Sequence, residues 1–122
     1  AWIVHGSDGL DEVTITGKTY CAELKNGLIR EFSINPSDID IPSAKLTDII
    51  GGEPEENAKE INELFNGKKS TFRNVVILNS ASALVATGHA NSLEEGAGKS
   101  IISLDSGEAL RKLEELIKIT NS

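Results

Sequence analysis

Val75-Val76-Ile77-Leu78-Asn79-Ser80-Ala81-Ser82-Ala83-Leu84-Val85-Ala86-Thr87 admits two structures. Its first four residues alone would pass for a strand, because three of them are β-branched. The eight that follow, Asn79 to Ala86, are small or apolar nearly all round and suit a helix enclosed by other elements. We read the whole stretch as one central buried helix that ends at Gly88. The back half of the chain is then a cluster of helices, and the strands lie in front.

The neighbouring segments agree with that reading. Upstream, Pro54 suits a first helical turn, and Glu53, Glu55 and Glu56 complement its positive end. Ala58, Ile61, Leu64 and Phe65 form one apolar stripe, which Asn66-Gly67 stops. Downstream, Ser92-Leu93-Glu94-Glu95 is a capping box ahead of Ala97, Ile101 and Leu104. Gly107 breaks before a last helix with Leu110, Leu113 and Ile117 on one face, supported by Glu108–Lys112 and Glu114–Lys118 pairs. A short helical segment is expected over Ala44 to Ile50, ahead of Gly51-Gly52.

The front third reads as β. Ala1 to Val4 is a short apolar run of the kind buried on both faces in a parallel sheet. Val13-Thr14-Ile15-Thr16 alternates and is entirely β-branched, which predicts a second strand. Tyr20 to Lys25 and Leu28 to Ile34 flank Asn26-Gly27, a strong two-residue hairpin signal that sets Glu23 opposite Arg30. The fold class is therefore α/β.

Composition limits the function. With 12 Lys and Arg against 19 Asp and Glu in 122 residues, the net charge is −7. That balance argues against nucleic acid and anionic membranes as partners, since both demand clustered positive charge. The single cysteine, Cys21, excludes an internal disulfide, and no apolar run approaches membrane-spanning length. The chain has no methionine and opens directly into Trp2-Ile3-Val4, so we expect the back end of a longer chain. Trp2, Ile3 and the 75–87 helix should then border an exposed apolar patch, and the opening strand should keep an unpaired edge.

The segment His5-Gly6-Ser7-Asp8-Gly9-Leu10-Asp11-Glu12 carries the most chemistry. Ligands of open α/β sheets bind beyond the carboxyl ends of parallel strands, where this loop would lie. Asp11 and Glu12 are adjacent carboxylates, and in a loop such a pair can converge on one hard cation. Mg²⁺ takes one or two carboxylates together with water and phosphate oxygens. A solvated turn is the plainer reading of the same pair. His5 and His89 read as structural or capping histidines, and Cys21 as a small packed side chain. Asn57 reads as a helix-end hydrogen bond and Asn79 as a buried backbone contact.

Four stretches, in order, carry a family resemblance: Val4 to Glu12, Gly51 to Ala58, Arg73 to Leu84, and Ser92 to Gly96 with Asp105-Ser106-Gly107. They are similar to the acidic metal-binding segment, the Gly-Gly-acid-x-x-Glu-Asn-Ala stretch, the Arg-acid-x-x-x-Leu-Asn-Ala helix and the tail of the anthranilate phosphoribosyltransferases. Asn74 departs from the usual acid, and Ser80 and Ser82 from the usual alanines. The resemblance implies transfer of phosphoribosyl from 5-phosphoribosyl 1-pyrophosphate to anthranilate, with release of pyrophosphate, in tryptophan biosynthesis. It also implies a cytoplasmic homodimer formed through an N-terminal helical domain. Residues 1–122 would be the C-terminal part of the nucleoside-phosphorylase-like α/β domain, inactive alone, with Asp11 and Glu12 as Mg²⁺ ligands. No catalytic residue is carried over. The competing readings are a pyrimidine nucleoside phosphorylase-like enzyme and a non-catalytic relative that binds nucleic acid; the Gly51 and Leu78-Asn79 motifs oppose the first, and the net charge and intact acidic pair the second.

Overall fold

Asn26 and Gly27 both adopt positive φ, +52° and +77° in the computed structural model, which describes residues 1–122. Positive φ at both turn positions matches the right-handed twist of the flanking strands and closes a tight hairpin. It joins β2 (Thr19–Lys25) to β3 (Leu28–Ile34), and β1 (Trp2–Gly6) pairs with the other edge of β2. The sheet order is β1-β2-β3, antiparallel throughout. Glu23 faces Arg30 as expected, at 3.2 Å, and also accepts a hydrogen bond from Trp2 Nε1 at 2.9 Å. This row crosses all three strands, and Phe32 meets the Trp2 ring edge-on at 5.1 Å.

β1 departs from the expectation of a strand buried on both faces in a parallel sheet. Its only partner in the chain is antiparallel, and burial alternates along it, with Ile3 75% exposed. A run of uniformly apolar residues hides its own period, so the sequence could not show which face is covered. The inner face, with Val4, Cys21 and Ile34, meets the rest of the molecule. The outer face carries Ile3, Tyr20, Leu24 and Ile29 and meets nothing. β1 keeps its second edge unpaired, but α2 lies in the core rather than beside this exposed patch. The accessible surface is 7814 Å², against about 6,300 Å² expected for a folded 13.0 kDa monomer. Exposed apolar side chains contribute to that excess, among them Ile3, Leu28 and Ile29 of the sheet, Ile50, Ile102 and Ile119.

Val13 to Thr16 is a second departure. Val13, Thr14 and Ile15 are buried, yet the chain bends at Ile15 and Thr16 and these residues form no ladder. Side chains satisfy most of their backbone instead: Thr14 N–H donates to Thr19 Oγ1 at 2.9 Å and Val13 is held by Asn79, while the Ile15 carbonyl accepts from Ala44 N–H at 3.0 Å. The segment expected to be helical over Ala44 to Ile50 contains only one 3-10 turn, Leu46–Asp48; another, Pro36–Ile39, precedes it.

The helices follow the sequence closely. They are α1 (Pro54–Phe65), α2 (Thr71–Ala86), α3 (Leu93–Asp105) and α4 (Glu108–Thr120). α2 is the central helix, with Val75, Ile77, Leu78 and Ala81 buried and Ser70 accepting from Arg73 N–H as its cap. α2 and α3 cross where Gly96 faces Ala81, and a Cβ at Gly96 would lie 2.8 Å from the Ala81 carbonyl oxygen. Gly96→Ala should therefore force the helices apart and cost about 1–3 kcal/mol in a urea titration. At the far end of this contact the buried Arg73 reaches Asp105 at 2.7 Å.

The α3 cap differs in one detail from the sequence pattern. Ser92 accepts from Glu95 N–H, but Glu95 reaches back to Asn91, one residue further out. Bonds from Lys99 at 2.7 Å and from Asn91 hold the Glu95 carboxyl down at about 2. A carboxyl depressed in the folded state stabilises above its unfolded value near 4.5, and that contribution disappears as pH falls toward about 2. Glu95→Gln should accordingly flatten the acid limb of stability between those limits, as read by urea midpoints at successive pH values.

On α4 the expected Glu108–Lys112 and Glu114–Lys118 pairs do not form. The longer Arg111 fork takes Glu108 and Glu115, and Lys112 joins Glu115 at 2.8 Å. Ile117, on the expected apolar face, is half exposed, and no α4 residue is buried.

Candidate functional site

The loop after β1 is built around Asp8. Burial pushes its carboxyl up, but hydrogen bonds from Thr14, Thr16 and Leu10 outweigh that and hold it below the usual carboxylate range. Oδ1 accepts Leu10 N–H at 3.0 Å, and Oδ2 accepts both threonine hydroxyls at 2.5 Å. The alternation of Val13 to Thr16 thus has a purpose other than strand pairing. It sets two hydroxyls on one side, toward Asp8, and two apolar side chains into the core. Gly6 is required beneath this carboxylate, since a Cβ there would lie 2.4 Å from Asp8 Oδ1.

Asp11 and Glu12 follow directly. Asp11 is exposed, Glu12 is half-buried, and their own backbone groups make no hydrogen bond within the chain. Burial, then the charges of Asp11 and Asp8, push the Glu12 carboxyl up. Neither Asp11 nor Glu12 has a Lys or Arg within ion-pair distance. The loop therefore concentrates negative charge and hard oxygen donors without compensating them. No group of three or more His, Cys, Asp or Glu side chains is gathered for a protein-only metal cage. Two carboxylates fit Mg²⁺, which keeps water and phosphate oxygens in its shell, and do not fit Zn²⁺.

The other sequence candidates lie elsewhere. His5 and His89 are exposed and Cys21 is buried on the inner sheet face. Asn57 bonds the backbone N–H and carbonyl of Gly52, closing the Gly51-Gly52 turn at 2.9 Å each. An open groove of about 750 Å³ runs from that turn along α1 to the start of α2, and does not include Asp11 or Glu12. Lys68 and Lys69 are engaged by Glu60, Glu63 and Asp105. The sequence missed the roles of Asp8, Thr14 and Thr16; an Asp followed by two threonines at i+6 and i+8 was the available signal.

The chain matches the family described as "Glycosyl transferase family, a/b domain" over residues 1–110. It is 47% identical over 121 residues to an anthranilate phosphoribosyltransferase of Parvibaculum lavamentivorans, covering 99% of this chain and 36% of that protein. The crystal structure of the anthranilate phosphoribosyltransferase of Thermus thermophilus superimposes with a TM-score of 0.88 at 30% identity, over 100% of this chain and 36% of that one. The Saccharomyces cerevisiae enzyme in complex with PRPP and Mg gives 0.85 at 31% identity, over 96% and 34%. The chain thus spans about a third of the length of the relatives it matches. No helix is long and apolar enough to cross a membrane.

Proposed function

Because the chain belongs to the glycosyl transferase family, through its α/β domain, we propose that the whole protein is an anthranilate phosphoribosyltransferase. It joins the anthranilate amine to C1 of the ribose of 5-phosphoribosyl 1-pyrophosphate. The C1–N bond forms as the C1–O bond to pyrophosphate breaks, and the amine loses a proton. The observation that carries this reading within the chain is the uncompensated Asp11–Glu12 pair in a braced loop. Structures of the similar Saccharomyces cerevisiae anthranilate phosphoribosyltransferase in complex with PRPP and Mg, and with 4-fluoroanthranilate, support it.

Asp11 and Glu12 would hold Mg²⁺, which when bound supplies charge neutralisation for the departing pyrophosphate. Their fixed negative charge would hold the cation, which in turn would offset charge developing on the leaving group. A net-negative chain can serve a polyanionic substrate when a cation lies between the two. The aromatic amine carries its own lone pair, so the reaction demands no strong base, and this chain offers none at the loop.

The test is direct. The whole enzyme, given anthranilate, 5-phosphoribosyl 1-pyrophosphate and Mg²⁺, should consume anthranilate fluorescence and release pyrophosphate, and excess EDTA should stop both. Turnover of pyrimidine nucleosides with phosphate instead would replace this reading with a nucleoside phosphorylase.

A further inference from the structure

The residue before the acidic pair and the residue after it are each pinned at both backbone groups. Leu10 N–H donates to Asp8 Oδ1 at 3.0 Å, and the Leu10 carbonyl accepts from Gly6 N–H at 2.9 Å. Val13 N–H donates to Asn79 Oδ1 at 2.9 Å, and the Val13 carbonyl accepts from Asn79 Nδ2 at 2.9 Å. Between these fixed points Asp11 and Glu12 have no backbone hydrogen bond of their own. We propose that Asp8 and Asn79 are positioning residues, a two-point clamp that sets Asp11 and Glu12 for a divalent cation.

The chemistry of each clamp residue supports that division of labour. Asp8 is the third carboxylate in the loop, but its oxygens already accept three hydrogen bonds, from Leu10, Thr14 and Thr16. Those donors take three of the roughly four lone-pair positions of the carboxylate, so Asp8 is committed to bracing while Asp11 and Glu12 accept no hydrogen bond and remain free to ligate. Asn79 is likewise committed, because Nδ2 also donates to the Val75 carbonyl of its own helix at 3.0 Å. It stands in α2, the most enclosed element, and lies 66 positions from Val13. The clamp therefore refers the loop to the rigid core, which a site built on a loop needs if its ligands are to hold position. Ligand-orienting partners of this kind typically change metal affinity by about 10–100-fold.

This inference rests on the reading of Asp11 and Glu12 as cation ligands, and the experiment separates the two. Mn²⁺–pyrophosphate is titrated into the whole enzyme and its binding followed by water-proton relaxation, below the melting transition of every variant. Asp8→Ala and Asn79→Ala should each weaken binding by about 10–100-fold. Asp8→Asn, which keeps the shape and the bond to Leu10, should recover most of it. In kinetics the loss should appear chiefly as a higher Mg²⁺ requirement, with kcat largely restored at high Mg²⁺. Should Asp8→Ala not fold, Thr16→Val removes one brace alone and should weaken binding about tenfold, at the mild end of such effects. Wild-type affinity in these variants, with binding lost in the Asp11→Asn/Glu12→Gln double variant, overturns the clamp and leaves the ligand reading standing. Wild-type affinity in the double variant itself overturns both.

Discussion

The Asp11→Asn/Glu12→Gln double variant of the whole enzyme is expected to lose at least about 10²–10³ in turnover, roughly 3–4 kcal/mol of transition-state stabilisation. The substitutions keep shape and hydrogen-bonding capacity but remove two negative charges from a loop that has no other use for them. The cation would then be held mainly by phosphate oxygens and water, and its position would loosen as leaving-group charge develops. Raising Mg²⁺ should recover part of the loss if binding is the weak point, and little if orientation is. Melting should be unchanged or higher. Glu12 is already pushed above its usual range by burial and by the charges of Asp11 and Asp8, so neutralising the pair relieves repulsion. Steady-state kinetics across a Mg²⁺ series, with melts alongside, separates these outcomes. Near-native turnover at every Mg²⁺ level would remove Asp11 and Glu12 from the cation site.

The largest effect on stability belongs to Leu78, whose side chain is completely enclosed. Leu78 belongs to the core cluster of α2 together with Ile15 from the braced segment, Ile34 from β3 and Leu104 from α3. Leu78→Ala deletes three carbon atoms at this point. The helices around the gap are fixed by close contact at Gly96 and by the Arg73–Asp105 link, so they cannot collapse to fill it. The expected cost is about 2–5 kcal/mol. That is a large share of the 5–15 kcal/mol by which folded domains of this kind usually exceed their unfolded states. Chemical denaturation with an unchanged slope should give this as a lower midpoint. A loss below about 1 kcal/mol would show that α2 is not the hub of the core.

How much was legible in the sequence depended on the distance over which each contact acts. The Asn26-Gly27 hairpin and its Glu23–Arg30 pairing are set by two adjacent residues, and both are as read. The ends of α1, α3 and α4 were likewise local, because Pro54, Ser92 and Gly107 act within a turn. The Val75 to Thr87 stretch is helical, and α2 begins earlier than its apolar run because Ser70 caps it. What failed were readings that needed a partner. Val13 to Thr16 has the composition of a strand, but its backbone partners are an asparagine 66 positions away, nearby threonines and the single backbone N–H of Ala44. In β1 the only polar mark on the exposed face is His5, which follows the apolar run and does not interrupt it. The surface charge pairs of α4 failed differently, since several partners lie within reach of each cation and the longest side chain takes two.

The candidate site divides in the same way. Adjacent acids in a glycine-bearing loop are visible, but pattern alone does not distinguish a cation site from a solvated turn. The family resemblance supplied the distinction, and the structure adds the uncompensated charge and the bracing around it. Asp8 stood in plain view as a third carboxylate. Only its three donors identify it as a brace.

The most direct measurement is the anomalous scattering of Mn²⁺ in crystals of the whole enzyme soaked with 5-phosphoribosyl 1-pyrophosphate. A peak should lie about 2.0–2.2 Å, the distance expected of a small hard divalent ion, from a carboxylate oxygen of Asp11 or Glu12. Asp8 should remain bonded to Leu10, Thr14 and Thr16 and make no contact with the ion. A peak bound by Asp8, or one that contacts neither Asp11 nor Glu12, would contradict the assignment.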